Sequence, residues 1–318
     1  MASQCPTIFQ TAKLVATSSI GLATRDRTLA LLAVMFFVMV IIAAYLGWSA
    51  TATVNAIYAK AVLVFQAEGK PAPPNPVGDT PPLSMFRNMV TYVALLGALA
   101  AIVLGHQIIA TDRKSGVTPL LFSRPTSRVG VAIGKIAALL FSTLSILVLA
   151  GLVNVFTILL LPGLALNADI WVGLLQFYSV SALYIFAFGL LGAVCATNTK
   201  SESFALLLPI AIWLALTFIV PQVTANISPM AALNPMSANI VPPSSKFFAI
   251  TSALLGPLSI AEAYRFLAST FLSILPGAGT TTTAGGAFLS LLITNATLLG
   301  GFIFSIKKLD ASRSDYRD

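Results

Sequence analysis

The chain has 318 residues, of which 57% are hydrophobic and only 9% are charged, and its mean hydropathy is +0.92. Soluble domains carry roughly a quarter of charged residues, so lipid rather than water is the main solvent of this chain. The net charge of +8 is then a matter of membrane topology and of contact with anionic lipid, and it is no argument for nucleic-acid binding.

Six apolar runs are long enough to cross a membrane, because about 20 helical residues span about 30 Å of hydrocarbon. Lipid cannot satisfy open backbone groups and the runs lack the alternation of barrel strands, so all six are predicted as helices. The predicted fold class is an all-α, polytopic membrane protein of one domain. The predicted spans are Leu29–Trp48, Met89–Ala110, Ile136–Leu161, Trp171–Ala196, Phe204–Val220 and Ala287–Ile306.

Two longer connections are predicted on one side of the membrane. The loop over residues 49–88 begins with an apolar stretch that can continue the first helix, and it then becomes proline-rich. The region over residues 221–286 contains a predicted helix with Glu262 and Arg265 on a shared polar side. This helix either lies flat on the membrane interface or docks on the ends of the spans.

Lys and Arg residues predict the orientation. Thirteen of the eighteen fall on the side that holds the N-terminal segment 1–28, the segment 111–135, Lys200 and the tail 307–318, against five on the other side. The side with the excess is predicted to be cytoplasmic, with both termini there.

The segment 111–135, "TDRKSGVTPLLFSRPTSRVGVAIGK", collects an unusual share of the charge. Its "GVAIGK" is not a P-loop: three residues rather than four separate the two glycines, and Ile136 replaces the required Ser or Thr. The residues instead predict a cytoplasmic elbow, with a turn at Ser115-Gly116, a short apolar stripe, and a helix cap at Thr126 or Ser127. Arg128 and Lys135 are expected to snorkel to the headgroups. A loop that only fixes topology remains the alternative.

This segment resembles the elbow of the type-2 ABC exporter permease family, through Gly116, Leu120, Leu121, Pro125, Arg128, Gly134 and Lys135. The nearest pattern is that of the permeases of the nitrous-oxide-reductase maturation system, which also resemble this chain in "LNP" (residues 233–235) and in the basic tail. Lys114 and Val117 depart from the family pattern, which usually has an acid and a Thr there.

The resemblance implies a permease subunit in a bacterial inner membrane, without enzymatic activity of its own. A separate cytoplasmic ABC ATPase, in two copies, would bind ATP and Mg; a second copy of this chain or a related permease would complete the transporter. The implied ATPase-coupling residues are Asp112, Arg113, Lys114, Gly116, Leu120, Leu121, Arg124, Pro125, Arg128 and Lys135. Membrane lipid and a periplasmic protein on the external loops are further expected partners.

Four polar residues within the spans are candidate pathway residues: His106, Gln107, Asn154 and Gln176. Hydrogen bonds between helices are the simpler explanation of these side chains. No metal site is predicted, because the single histidine has no Cys, Asp or Glu cluster near it in the sequence. The alternatives to a permease are an ion-coupled secondary transporter, which would need charged residues inside the spans, and a membrane anchor that does not transport.

Overall fold

A computed structural model describes residues 7–75, 77, 80–116, 127–160, 167–225, 245–256, 259–274 and 283–309. Six helical segments in these residues are long and apolar enough to cross a membrane, which confirms the six predicted spans. Most segments extend beyond the predicted limits, because the helices continue past the apolar runs; the first span begins at Leu29 as predicted, and the third ends at Leu159, two residues before its predicted end. The six spans are Leu29–Ala67, Pro82–Lys114, Arg128–Leu159, Ala168–Asn198, Glu202–Thr224 and Ala284–Lys308.

The helices are not all continuous. A 3-10 turn over Pro82–Phe86 and a π-helical turn over Val93–Gly97 interrupt the second span, and a π-helical turn over Ala215–Ile219 interrupts the fifth. The α-helices in chain order are α1 (Ile8–Ala23), α2 (Arg27–Ala67), α3 (Arg87–Tyr92), α4 (Ala98–Lys114), α5 (Arg128–Leu159), α6 (Ala168–Asn198), α7 (Glu202–Leu214), α8 (Val220–Ala225), α9 (Lys246–Leu255), α10 (Ile260–Phe271) and α11 (Ala284–Lys308).

The second and fourth spans form the centre of the bundle. In the most apolar part of each, 78% of the residues are buried, against 22–28% in the other four spans. The two backbones touch at Gly105, where an added Cβ would lie 1.8 Å from the carbonyl oxygen of Gly189. Small residues permit this approach, which gives van der Waals contact where lipid offers no hydrophobic driving force.

The two ends of the bundle differ. One end, which we call the basic end, carries α1, the end of α4, the start of α5 and the end of α11, whose residues form hydrogen bonds and close contacts with one another. The opposite end carries the last part of α2 and the helices α9 and α10.

At the opposite end, α2 is 41 residues long, which corresponds to roughly 60 Å or twice the hydrocarbon thickness. The apolar start of the 49–88 loop therefore does continue α2, the helix of the first span. The proline-rich segment folds back along it, since the Tyr58 hydroxyl donates to the carbonyl of Pro73 at 2.7 Å and Asn75 donates to Asn55 at 3.1 Å.

The helix predicted within 221–286 is α10, and it docks on the spans rather than lying flat. It packs against α6 and α11 and buries Tyr264, Arg265 and Leu267. Glu262 accepts a hydrogen bond from the Thr224 hydroxyl at 3.1 Å, at the end of the fifth span. The axes of α9 and α10 meet at 89°, and counted together they would be a seventh candidate span.

Candidate functional site

The connection between the second and third spans leaves and re-enters the bundle at the basic end. The helix α4 ends at Lys114, Ser115 caps it, and Gly116 has a φ of +64°, which fits the predicted change of direction. Ser127 caps α5 by accepting the N–H of Gly130 at 3.2 Å, as predicted. The predicted coupling residues Leu120, Leu121, Arg124 and Pro125 lie outside the described residues.

Lys135 is buried inside the bundle, contrary to the expectation that it snorkels to the headgroups. Its side chain is 4% exposed, and its ammonium group forms an ion pair with Asp112 and donates to the carbonyl of Ile108 at 2.7 Å. A counter-ion and a helix carbonyl within reach satisfy the ammonium group without headgroup contact. This pair therefore joins the end of the second span to the start of the third.

Arg113 connects the second span to the fourth. It is buried, and its guanidinium donates to the carbonyls of Ala196 at 2.6 Å and Thr199 at 2.8 Å. These carbonyls stand at the C-terminus of α6, where the helix leaves its last C=O groups without partners and carries a partial negative charge. Arg113 thus caps the fourth span from outside that span.

Two further cations extend these connections to the remaining spans. Lys114 forms a 2.6 Å ion pair with Glu202 in the first turn of the fifth span. Arg128 donates to the carbonyl of Lys307 at the end of the sixth span, at 2.7 Å. We call this set the basic-end clamp: Asp112, Arg113, Lys114, Arg128, Lys135 and Glu202. It connects the spans on both sides of the elbow to the fourth, fifth and sixth spans.

The helix α1, which the sequence analysis did not predict, sits against the start of the third span. An added Cβ at Gly130 would lie 2.9 Å from the carbonyl oxygen of Ile8, and one at Gly134 would lie 2.6 Å from that of Ala12. The glycines of "GVAIG" thus form a groove for a helix backbone, a packing role that replaces the excluded phosphate role. The Thr7–Gln10 capping box at the start of α1 is a local signal that could have predicted it.

The candidate pathway residues near the basic end have separate environments. His106 is buried beside the backbone of Glu202, and neither ring nitrogen makes a hydrogen bond of ordinary geometry to the described residues. Gln107 is half-buried and lines a cavity of about 10 Å³, with Ser19, Asp26 and Thr111, that has the size of one water molecule.

The other two candidates do not join His106 and Gln107. Asn154 lies in the far half of the third span and donates to the Tyr178 hydroxyl at 2.9 Å, which confirms the simpler explanation for this residue. Gln176 is exposed on the surface of the fourth span. The four residues therefore form no continuous polar path through the described part of the chain.

A polar cluster in the far half of the bundle was not predicted from the sequence, because its residues come from three separate segments of the chain. The rings of Tyr184 and Tyr264 stack at 4.3 Å, and the Tyr264 hydroxyl lies 3.2 Å from that of Ser181. Trp213 and Thr217 lie beside the Tyr184 hydroxyl, at the π-helical turn of the fifth span. The fifth span meets α10 at this cluster. Because π-helical turns are frequent at functional sites, the turn makes this contact a candidate for function.

Comparison with known proteins adds one finding. The chain matches the family described as ABC-2 family transporter protein over residues 15–309, a range that includes all six spans and the clamp. A search of curated proteins finds no match. Because the family match covers nearly the whole chain, this multi-pass membrane protein belongs to the ABC-2 transporter family.

Proposed function

We propose that the chain is the permease subunit of an ATP-driven exporter, that a separate cytoplasmic ATPase drives it, and that the basic-end clamp transmits the ATPase movement. Two permease chains and two ATPase subunits would form the transporter, with ATP and Mg bound by the ATPase. The basic end would face the cytoplasm of a bacterial inner membrane, in keeping with the distribution of Lys and Arg. Family membership supports the permease role.

One observation carries the coupling proposal. The residues on both sides of the 117–126 connection are tied to other spans by buried or charge-assisted contacts, through Arg113, Lys114 and Arg128. A displacement of the elbow would therefore reach the fourth, fifth and sixth spans directly, because charge-assisted hydrogen bonds resist extension more than lipid-facing contacts do. A loop that only fixed topology would need no such connections.

The clamp also refines which predicted coupling residues can touch the ATPase. Arg113 and Lys135 are 3% and 4% exposed, so they act inside this chain as connecting residues. Direct contact with the ATPase is left to the other predicted coupling residues, among them the exposed Lys114, the partly exposed Arg128, and Arg124 and Pro125 within the elbow. Nearest in pattern remain the permeases of the nitrous-oxide-reductase maturation system, whose "LNP" likeness at residues 233–235 lies outside the described residues.

The test is to purify the tagged chain from its native membrane in mild detergent and to assay Mg-dependent ATP hydrolysis in the eluate. We expect an ATPase subunit to co-purify, and Pro125→Ala and Arg128→Glu to reduce its recovery. Lys200→Glu is the matched control, because Lys200 is an exposed cation at the same end. Absence of any ATPase in several detergents would contradict the proposal, as would equal recovery with all variants.

The same preparation separates a transporter from a membrane anchor. We expect ATP turnover to change the labelling rate of a cysteine placed at Thr157, in the far half of the third span. A co-purified ATPase whose turnover leaves that rate unchanged would favour an anchor that does not transport.

A further inference from the structure

The fifth span has two points at which its helix is weakened. Pro209 has no N–H to donate within α7, and the π-helical turn over Ala215–Ile219 widens the helix in the far half of the bundle. Sharp bends of helices concentrate at prolines and at π-helical turns. In the most apolar part of this span only 22% of the residues are buried, against 78% in the second and fourth spans. The fifth span can therefore bend without displacing the centre of the bundle.

The π-helical turn of the fifth span faces Tyr184 of the fourth span, which also contacts the π-helical turn of the second span. The hydroxyl oxygen of Tyr184 lies 3.4 Å from the carbonyl oxygen of Ala94, within the turn Val93–Gly97. Ordinary O–H···O hydrogen bonds measure about 2.7–2.8 Å, so this one is long. Because Tyr184 uses its single proton toward Ala94, the lone pairs of its oxygen are left to accept a hydrogen bond.

Two buried donors lie beside this oxygen, and neither makes a hydrogen bond of ordinary geometry to any described residue. They are the indole N–H of Trp213 and the hydroxyl of Thr217, in residues that are 6% and 1% exposed. Buried polar groups in native proteins are nearly always paired, because an unpaired group has lost its hydrogen bonds to water and gained none. A small shift of the turn toward the fourth span would pair one of these donors with the Tyr184 oxygen.

The outer tip of the fifth span, α8, is held in place by the two external helices. The Thr251 hydroxyl of α9 donates to the carbonyl of Val223 at 2.9 Å, and the Thr224 hydroxyl donates to Glu262 of α10 at 3.1 Å. At the other end of the span, Glu202 is paired with Lys114 of the basic-end clamp. Because both ends are held, a shift of the span is concentrated at the turn between them.

We propose that the π-helical turn of the fifth span is a hinge with two arrangements, and that Tyr184 is the positioning residue that selects between them. In the arrangement described above, Tyr184 donates to Ala94 and the two donors of the fifth span are unpaired. In the second, the turn lies closer to the fourth span, and Trp213 or Thr217 donates to the Tyr184 oxygen. That the hinge transmits movement from the clamp to the outer tip of the span rests on the proposed function.

The test is fluorine NMR of the purified full chain in detergent, labelled with fluorotryptophan. Trp48→Phe and Trp171→Phe leave Trp213 as the only tryptophan, so that its ring reports on the hinge alone. We expect saturation transfer to reveal a minor resonance with a population of up to about 10%, as is usual for the minor state of a two-state element. A single resonance without an exchange partner would overturn the hinge, including the case in which a bound water pairs both donors permanently.

A variant with a matched control tests the role of Tyr184. Tyr184→Phe removes the hydroxyl and keeps the ring that stacks on Tyr264. We expect the minor population to fall about five-fold or more, because the second arrangement loses its hydrogen-bond acceptor. Tyr178→Phe makes the same chemical change on the same span, at a hydroxyl paired with Asn154 of the third span, and should leave the population as it is.

An equal fall in both variants, or an unchanged population in Tyr184→Phe, would contradict the role of Tyr184. If either variant fails to fold, the spectrum of the parent chain still decides whether the hinge exists. That spectrum needs neither ATP nor an ATPase, so its failure would leave the permease proposal standing, and failure of the ATPase purification would leave the hinge standing.

The co-purified complex tests the link with transport. A non-hydrolysable ATP analogue is expected to change the ratio of the two Trp213 resonances by about five-fold or more, because the closed ATPase pair would displace the clamp. An unchanged ratio would refute the role of the hinge in transport.

Discussion

At the scale of single residues, the Asp112–Lys135 pair shows how the bundle uses its few charges. Removing one partner of a buried pair leaves the other charge without compensation. We expect Asp112→Leu to destabilise the protein by roughly 3 kcal/mol, since Lys135 is almost fully buried. The measurement is thermal unfolding of the purified chain in detergent.

The double variant Asp112→Leu/Lys135→Met is the control for this prediction. A buried ion pair replaced by apolar side chains of similar volume is often neutral, so we expect the double variant to recover most of the lost stability. A double variant that is no more stable than Asp112→Leu alone would show that the pair does not act as described.

Local chemistry decided which residues could be predicted. The Ser127 cap and the turn at Gly116 depend on neighbours in the sequence, and both were predicted. The burial of Lys135 depends on Asp112, which lies 23 positions earlier on another helix, and it was not. Without knowledge of which spans are neighbours, a lysine at a span end is expected to reach the headgroups.

At the scale of elements, the packing of α1 against the third span requires glycine at positions 130 and 134, where a side chain would collide with α1. We expect Gly134→Val to displace α1, because a Cβ there would lie 2.6 Å from the carbonyl oxygen of Ala12. The measurement is maleimide labelling of Thr11→Cys, which is buried at this contact, after replacement of Cys5 and Cys195 by serine. Labelling should become several-fold faster in the valine variant, as for locally opened segments.

Gly300→Val is the control, because nothing lies within 4 Å of a Cβ at that position in the sixth span. It carries the same intrinsic change in helix propensity and should leave the labelling rate of Thr11→Cys as it is. Equal rates with Gly134→Val and Gly300→Val would mean that α1 does not need the groove.

Hydropathy predicted the six spans but not which spans pack against each other. A run of about 20 apolar residues satisfies its backbone hydrogen bonds in lipid only as a helix, so all six spans could be recognised in the sequence. Their arrangement depends on contacts such as Gly105 against Gly189, 84 positions apart, which a single sequence does not reveal. The sequence left the docking of α10 undecided for the same reason. Tyr264 of α10 contacts Tyr184 and Ser181, which lie about 80 positions earlier in the fourth span.

At the scale of the whole molecule, the distribution of Lys and Arg predicts one orientation, with the basic end in the cytoplasm. We expect a cysteine at Lys200 to be inaccessible to a membrane-impermeant maleimide in intact cells and accessible in inverted vesicles, because Lys200 is exposed at the basic end. A cysteine at Lys60, exposed on the extended first helix, should show the opposite pattern. Both measurements require the background without Cys5 and Cys195, and matching patterns at the two positions would refute the predicted topology.

The contact between α1 and the third span also bears on the order of assembly during synthesis. The ribosome completes α1 first, whereas Gly130 and Gly134 emerge more than 100 residues later. Until then the face of α1 that carries Thr11 and Ala12 has no partner, because the folded chain buries these two residues against the third span. The docking of α1 therefore requires that the third span has already been inserted. It comes late in biogenesis, although α1 is synthesised before the third span.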